Sequence, residues 1–391
     1  MSFEGFFKPK TILMGFMHMI VAFTSIVVIT GALGFNLPLA FLFAGVGTLV
    51  FHLVTKNEIP VTLGVSGVYM GAILFVVEQY GVAFAHGGIV VAGLFYILFA
   101  LIMFKWQDKI LPLFPTWLLS TVVALIGLNL LPIGASLLTT DILVGLTSLV
   151  VTALVSLIGN EKLGMSAVPI GVLAGTLVAL FTTGLTIPSS VGIEYIAPQF
   201  NWQSALTIGV MAFPAMFEMM GDTKNTGNII GKNIFKTVGL GRISLGNGLA
   251  SMIGGLGGSN AYTTYGENAS FVMMSRFYNP SAQIWTGIFL IILAFFSPLM
   301  TIISAIPIEA FGGAVTFLFA MIVVNAIKQI GESVNLNEES KAFTIITVMI
   351  AVSMLTVSFG GITVSSVAVA TAVGIFLNAI FNRKGIDKHN K

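Results

Sequence analysis

Two short stretches decide the fold of this chain: PVTLGVSGVY at residues 60–69 and SNAYTTYGEN at residues 259–268. Each combines glycine with several hydroxyl side chains, and each lies in a region long enough to cross a bilayer. Backbone that leaves helical geometry at membrane depth survives only where protein or a water-lined cavity surrounds it. Paired broken segments of this kind are the best sequence indication of a substrate site near the membrane midplane.

The composition around these stretches predicts a membrane protein. Of the 391 residues, 56% are hydrophobic and only 8% are charged, against about 25% charged in a soluble domain. The absence of cysteine excludes a disulfide framework and a thiolate metal site, and a net charge of +2 does not suggest nucleic-acid binding. We expect a chain surrounded mostly by lipid, with an uncleaved N-terminus that continues into the first span.

Apolar stretches between polar, glycine and proline clusters predict fourteen membrane spans. Their approximate bounds are 11–30, 37–54, 60–78, 87–104, 112–131, 140–159, 167–185, 204–221, 240–256, 264–277, 281–301, 311–329, 342–358 and 362–381. Three of them, 60–78, 204–221 and 264–277, are too polar or too interrupted to be ordinary lipid-facing helices.

The basic residues predict the orientation of the chain. All 17 Lys and Arg residues fall in the N-terminal tail, in even-numbered connections or in the C-terminal tail, whereas odd-numbered connections such as 131–139 and 186–203 contain none. By the positive-inside rule, this pattern predicts an even number of spans and cytoplasmic N- and C-termini in the plasma (inner) membrane.

An even division places seven spans in residues 1–190 and seven in residues 191–391. Because seven is odd, the two halves would have opposite orientations in the membrane, as in many secondary transporters. The two glycine-interrupted stretches are then the third span of each half. The sequence therefore predicts an all-α polytopic protein built as a 7+7 inverted repeat, with broken spans three and ten.

Three acidic residues stand apart from those of the tails and connections: Glu218 and Glu267 fall within predicted spans, and Asp222 directly follows the span that contains Glu218. A carboxylate inside a membrane is costly unless it is paired, hydrated or protonated, so each is a candidate for binding a substrate donor or carrying a proton. The alternative is a carboxylate that only satisfies groups between helices. That alternative weighs most for Asp222, which could pair with the nearby Lys224. His18 is either a hydrogen-bond partner or proton relay near the site, or a packed histidine bonded to a backbone carbonyl.

The motif TTYGEN at residues 263–268, preceded by GGLGGS at 254–259 and followed by Arg276, resembles the signature region of the nucleobase–cation symporter family. This family includes the uracil and xanthine permeases and is also called the nucleobase–ascorbate transporter family. The similarity extends over essentially the whole chain and includes the segments around Glu218, Asn247-Gly248, residues 63–66 and His18.

The resemblance is mixed between two branches of the family. Glu267 is similar to the uracil branch, whereas Gly221-Asp222 is similar to the xanthine branch. The chain departs from the family signature at Ser270 and Ser275, where Gly and Thr are usual, and at Met219, where the uracil branch has His. The uracil branch is favoured, and a purine substrate stays open.

The resemblance implies a core domain formed by spans one to four and eight to eleven, and a gate domain formed by spans five to seven and twelve to fourteen. It also implies short strand-like pieces in spans three and ten. The substrate-binding residues that it implies are Glu218, Glu267, Tyr265 and Gly266 through their backbone, Ser25 and Gly67. Ser66, at the same break as Gly67, adds a backbone N–H that can donate to a substrate carbonyl.

Together these observations predict a secondary transporter that imports a nucleobase, with uracil favoured, by proton symport and alternating access of the core against the gate. Candidates for carrying the proton are Glu218, Glu267, Asp222 and His18; sodium coupling stays open, and neither a cofactor nor a resident metal is expected. The alternatives are a xanthine or other purine symporter, a channel, and an organic-anion carrier of the same fold. An enzyme is not expected, because no nucleophile–base pair or metal motif occurs. The expected partners are a small-molecule nucleobase and the lipid bilayer, without nucleic acid; a homodimer through the gate domain stays open.

Overall fold

The computed structural model describes residues 5–158, 166–334, 339–355, 357–359 and 362–389. Its first half is helical apart from one short strand. The elements are α1 (Pro9–Leu33), α2 (Leu37–Val54), β1 (Leu63–Val65), a 3-10 turn (Gly67–Tyr69), α3 (Met70–Tyr80), α4 (Val82–Ile110), a second 3-10 turn (Leu111–Leu113), α5 (Thr116–Thr139), α6 (Ile142–Ile158) and α7 (Ala167–Thr182).

The second half contains ten helices and three strands among its described residues. They are α8 (Trp202–Gly209), α9 (Ala212–Ile230), α10 (Ile234–Thr237), α11 (Leu240–Leu256), β2 (Tyr262–Thr264), α12 (Gly266–Ser275), α13 (Ser281–Ala294), α14 (Ser297–Ser304), α15 (Ile308–Ser333), α16 (Glu339–Ser353), β3 (Val357–Phe359), β4 (Ile362–Val364) and α17 (Ser366–His389).

Local sequence explains how the first two helices are joined. α1 ends at Gly34, whose φ of 67° is the left-handed conformation that glycine adopts without a steric penalty. α2 then begins after Asn36, whose side chain accepts a hydrogen bond from the backbone N–H of Leu39 (3.0 Å). Pro38 lies in the first turn of α2, where its missing N–H costs nothing. The chain therefore reverses within a few residues, and the two helices are adjacent.

The helices have the length and apolarity of membrane spans. Six helical stretches among the described residues each suffice to cross a bilayer, and α13 with α14 forms a seventh that is bent by 79°. Five further apolar helices are shorter, such as α6 and α7. Every one of the fourteen expected segments contains a helix, but the exact count of fourteen stays a prediction, because several segments are too short or too broken to be counted by length and composition.

The three segments expected to be irregular are all interrupted. Segment 60–78 consists of β1, the 3-10 turn and α3; segment 204–221 contains the break between α8 and α9; and segment 264–277 consists of the end of β2 and α12. The bend between α13 and α14 was not predicted. It coincides with Pro298 in the first turn of α14, where proline cannot continue the hydrogen bonds of the preceding helix.

The strands β1 and β2 pair with each other across the two halves of the chain. The pairing is antiparallel, with Leu63 opposite Thr264, Gly64 opposite Thr263 and Val65 opposite Tyr262. Antiparallel pairing is what two equivalent segments of opposite orientation require. The strand-like pieces expected in spans three and ten are therefore confirmed, and they meet.

The packing of the helices is reciprocal between the halves. α2, the second span of the first half, packs against α13, which begins the fourth span of the second half. In the same way, α4, the fourth span of the first half, packs against α11, the second span of the second half. α5 packs against α15, and α6 packs on α7 as α16 packs on α17. This arrangement is the one expected for an inverted repeat. The boundary at residue 190 and the grouping into core and gate domains stay predictions.

A second strand pair, the hairpin formed by β3 and β4, was not predicted. Val357 pairs with Val364 and Phe359 with Ile362 in antiparallel register. The sequence carried the signal, because two glycines at 360–361 separate two stretches of β-branched and aromatic residues. The expected spans 342–358 and 362–381 therefore each include a short strand beside the helix.

Candidate functional site

The site is built where β1 and β2 meet. The backbone N–H of Ser66 donates to the carbonyl oxygen of Ala261 (3.0 Å), and that of Tyr265 donates to the carbonyl oxygen of Thr62 (3.3 Å). These bonds extend the strand pair by one residue at each end. Each strand leads directly into a helical segment, the 3-10 turn at Gly67 or α12 at Gly266. Two helix N-termini, each with N–H groups that have no acceptor inside the helix, therefore begin beside the strand pair.

This geometry corrects one expectation. The backbone N–H groups of Tyr265 and Ser66 were expected to be available for a substrate carbonyl, but both are used in the strand pair. The first N–H groups of the two helical segments belong instead to Gly67 and Gly266. These two are the better candidates for backbone donors to a ligand.

Glu218 lies on α9 and contacts the first broken span. The hydroxyl of Ser66 donates to its Oε2 atom at 3.1 Å. The phenol groups of Tyr69 and Tyr96, both fully buried, lie close enough to interact electrostatically with the Glu218 carboxylate. The structure thus brings together Glu218 and Ser66, two predicted site residues that are about 150 residues apart in the sequence.

Ser25 and Tyr265 converge on Gly64. A methyl group added at Gly64 would lie 3.0 Å from the hydroxyl oxygen of Ser25 and 3.1 Å from the ring of Tyr265. A side chain at this position would require Ser25 or Tyr265 to shift by a few tenths of an ångström, which favours the glycine in β1. Ser25, predicted from α1 to lie near the substrate, is therefore next to the strand pair, where its hydroxyl donates to the carbonyl oxygen of Ala22 (3.1 Å).

Asp222 lies one helical turn after Glu218 and faces the start of α12. A methyl group added at Gly266 would lie 2.8 Å from Oδ1 of Asp222. Lys224, which was considered as an ion-pair partner of Asp222, donates through Nζ to the hydroxyl of Thr116 on α5. The side of α9 that carries both carboxylates therefore borders both broken spans.

The remaining two predicted site residues, Glu267 and Gly67, lie in the helical segments that follow the two strands. The backbone of Glu267 occupies the first turn of α12, beside Gly266, and its side chain lies outside the part that the structure describes. Gly67 faces a junction of three helices, because a methyl group there would have Phe319, Ile29 and Leu130 as its nearest neighbours, at 3.5–3.8 Å.

His18 is buried on α1 and is connected to the site through side chains. Nε2 of Gln283, on α13, lies 3.1 Å from Nε2 of His18. Because an amide nitrogen can only donate, Nε2 of His18 is the acceptor of this contact. Gln283 also accepts a hydrogen bond from the hydroxyl of Thr62, which directly precedes β1. The partner of His18 is thus an amide side chain rather than the backbone carbonyl of the structural alternative.

A row of polar residues on α11 supports β2, and this role was not predicted from the sequence. The side chain of Asn247 accepts from the backbone N–H of Thr264 (2.9 Å). The hydroxyl of Ser251 accepts from the N–H of Tyr262 (3.0 Å) and donates to its carbonyl oxygen (2.7 Å). Ser244, Asn247 and Ser251 recur at helical spacing and are all fully buried, which is the signal that could have identified them.

Two cavities lie along α5 and α9, one beyond each end of the site, and Glu218, Ser66 and Gly266 are not among the residues that line them. The Met211 cavity, of about 280 Å³, lies between α3, the second half of α5, the junction of α8 and α9, and the start of α17. The Gly221 cavity, of about 260 Å³, lies between the first half of α5, the second half of α9 and the end of α15. Glu218 lies on α9 between Gly221 and Met211, the residue directly before the helix, so one cavity lies on either side of Glu218 along the chain.

Residues 9–362 match the family model Xan_ur_permease, which describes a permease family. The chain belongs to this permease family. The permease is 30% identical over 395 residues to a uracil permease of Escherichia coli (strain K12), which covers 95% of this chain and 91% of that protein. It is 27% identical over 397 residues to a uracil permease of Bacillus subtilis (strain 168), covering 93% and 90%.

A solved structure shows the same fold. The transmembrane domain of the cyanobacterial bicarbonate transporter BicA superposes with a TM-score of 0.67, covering 95% of this chain and 98% of that one, at 13% sequence identity. At this identity the likeness concerns the fold alone. The family resemblance and the fold class drawn from the sequence are confirmed. The permease is a multi-pass membrane transporter and not an enzyme.

Proposed function

We propose that the permease imports uracil together with protons. The observation that carries this proposal is the position of Glu218: a carboxylate bonded to Ser66 where two broken spans meet, with a cavity on either side along the same helix. Uracil permeases that match the chain over more than nine-tenths of its length support the choice of substrate. The basic ends of the chain face the cytoplasm of an inner membrane in this proposal.

Uracil offers two ring N–H donors beside two carbonyl acceptors, and the site offers the complementary groups. Glu218 and Glu267 accept from the ring N–H groups, while the backbone N–H groups of Gly266 and Gly67 donate to the carbonyl oxygens. The positive ends of two helical segments favour the partial negative charge of those oxygens. Ser25 and the ring of Tyr265 shape the wall beside Gly64. A base without this donor and acceptor pattern leaves buried groups unpaired, which supplies selectivity.

The two cavities suit an alternating-access cycle. In the proposed cycle the helices that carry Glu218 and the strand pair move as a core against α5 and α15, and the base reaches the site through one cavity and leaves through the other. Protonation of Glu218, Glu267 or Asp222 removes a charge from the moving core, which lowers the cost of carrying it past the apolar gate. His18, bonded to Gln283, is a further candidate for relaying the proton.

The test measures uptake of labelled uracil into proteoliposomes with and without an inward proton gradient. Glu218→Gln keeps the shape of the side chain but removes the charge, so its bonds to uracil and to Ser66 weaken. A hydrogen bond to a charged group contributes about 1.5–3 kcal/mol, which corresponds to a loss of roughly ten- to 150-fold in apparent affinity. We expect the same for Glu267→Gln. Glu78→Gln, on the exposed end of α3, is the matched control and retains wild-type uptake.

Gradient-driven uracil uptake that survives both Glu218→Gln and Glu267→Gln would contradict the assigned site. A competition panel of unlabelled bases tests the substrate: xanthine that displaces uracil at lower concentration than uracil itself would instead favour the purine branch, to which Gly221-Asp222 is similar. Uptake that follows a sodium gradient at constant pH would replace the proton as coupling ion.

A further inference from the structure

A third cavity, larger than the two beside the site, lies at the basic ends of the spans. It has a volume of about 530 Å³ and is bordered by the start of α5, the 3-10 turn before it, the end of α9 and α10. Lys224 and Lys232 line this cavity, and we call it the Lys232 cavity. Its remaining wall combines an apolar side, which includes Leu111, Phe114 and Phe235, with the polar residues Asn228 and Asn233.

The charge in this cavity is positive and is not balanced within it. Lys224 is half-buried and its ammonium group donates to the neutral hydroxyl of Thr116. No Asp or Glu occurs among the described residues that line the Lys232 cavity. Glu332 lines the neighbouring Gly221 cavity, which Lys224 also lines, and its carboxylate pairs with Lys328 at 3.9 Å. Two lysines beside one cavity without a lining carboxylate favour an anionic occupant.

The wall of the cavity is held in place by side-chain bonds. Gln107 near the end of α4 donates through Nε2 to the carbonyl oxygen of Phe235 (2.8 Å) and accepts from the backbone N–H of Leu240 (2.5 Å). These bonds hold both ends of the segment between α10 and α11 against α4. Asn233 accepts from the N–H of Lys236 (3.3 Å), which fixes the start of α10. The cavity is therefore a preformed feature rather than a gap beside a loose loop.

We propose that the Lys232 cavity binds an anionic phospholipid, with the headgroup phosphate between Lys224 and Lys232 and an acyl chain along Leu111 and Phe114. Basic pockets between spans at the end of a bilayer favour such headgroups. A soluble phosphate ester shares the charge, but the apolar wall next to the ends of α4 and α5 matches a molecule that is half hydrocarbon. Lys232 is exposed and so is accessible from the headgroup layer.

The occupant would contact both sides of the transport site. Lys224 lies on α9, two turns after Glu218, and Thr116 begins α5, which moves relative to α9 in the proposed cycle. A lipid bound here stabilises the arrangement in which Lys224 reaches Thr116. Anionic lipid therefore changes the balance between transport states without touching the substrate. This inference rests on the location of the cavity and holds whichever base is carried.

The experiment compares lipid binding by the purified full-length protein in nanodiscs of phosphatidylcholine with increasing phosphatidylglycerol, read by native mass spectrometry and by the shift in Tm. Each lysine near a membrane surface contributes enough for about fivefold in affinity, so Lys224→Gln with Lys232→Gln weakens phosphatidylglycerol binding by about thirtyfold. Lys236→Gln is the matched control, because it removes an exposed charge of α10 that does not line the cavity, and it retains binding.

Lys232→Gln alone, at an exposed position, is the second variant in case the double variant does not fold; it weakens binding by about fivefold. The proposal is overturned if the double variant binds phosphatidylglycerol as the wild type does; where only Lys232→Gln folds, the same criterion applies to that variant. It is likewise overturned if Lys236→Gln weakens phosphatidylglycerol binding as much as the cavity variants do. A further comparison uses inorganic phosphate or uridine monophosphate, added to the protein in pure phosphatidylcholine nanodiscs. If either compound raises the Tm as much as phosphatidylglycerol in the bilayer does, the occupant is a soluble phosphate and the proposal is overturned. Uracil binding is measured in parallel, so a failure of the transport proposal is seen separately.

Discussion

Replacing Gly64 with alanine places a methyl group between Ser25 and Tyr265 in the candidate site. The new carbon would lie 3.0 Å from the hydroxyl oxygen of Ser25 and 3.1 Å from the ring of Tyr265, closer than ordinary contact. β1 cannot easily move away, because the N–H of Leu63 is bonded to the hydroxyl of Thr48 (3.1 Å) and the strand is paired with β2. Ser25 and Tyr265 must therefore move instead.

The size of the effect follows from the cost of overpacking. An extra methylene in a well-packed interior costs about 1–3 kcal/mol. If Tyr265 and Ser25 line the uracil site, this cost weakens uracil binding by roughly five- to 150-fold. The assay is the uracil dissociation constant of the purified permease, together with its Tm, which separates a local change at the site from general destabilisation.

Gly331→Ala, at an exposed position of α15 outside the site, is the matched control. Among the described residues no atom lies within 4 Å of a methyl group added there, so we expect binding within about twofold of the wild type. Ser25→Ala added to Gly64→Ala removes one of the two close contacts and restores part of the affinity. The reasoning is refuted if Gly64→Ala binds uracil as well as Gly331→Ala does.

Two further substitutions test the support of the site. Ser66→Ala removes the hydrogen-bond donor to Oε2 of Glu218. We expect a roughly tenfold rise in the KM for uracil uptake with little change in Tm. An unchanged KM would show that this hydrogen bond does not contribute to uracil binding. Asn247→Ala removes the acceptor of the Thr264 N–H and leaves that donor buried, which we expect to cost about 1–3 kcal/mol of stability and to lower the Tm. Asn225→Ala, at an exposed position of α9, is the control and leaves the Tm unchanged. Equal Tm values for the two variants would contradict the role of Asn247.

The sequence identified the features that break a local rule. Glycine and hydroxyl residues in a span, and a carboxylate such as Glu218 within one, are unfavourable in lipid unless protein surrounds them. Both broken spans and the proximity of Glu218 to Ser66 could therefore be predicted, because only a shared polar interior satisfies these groups together.

Features that depend on long-range geometry were not predictable in the same way. The use of the Tyr265 N–H in the strand pair depends on the register with Thr62, which no sequence spacing reveals. Asn247 and Ser251 are uncharged, and a buried polar row on a helix has several explanations until its partner strand is known. The bend before Pro298 depends on whether the packing of α13 against α2 ends there, although the proline itself is visible in the sequence.

The strand pair has a consequence for how the protein is made. β1 and β2 have three residues each and are separated by roughly 200 residues, and so small a sheet has no stability of its own. During synthesis, the backbone N–H and C=O groups of β1 lack their strand partners until β2 has been translated and inserted. Neither half of the chain can complete its own interior, so two separately expressed halves would have to assemble before either could bind a ligand. Assembly of the transport site is thus also the step that commits the two halves to one another.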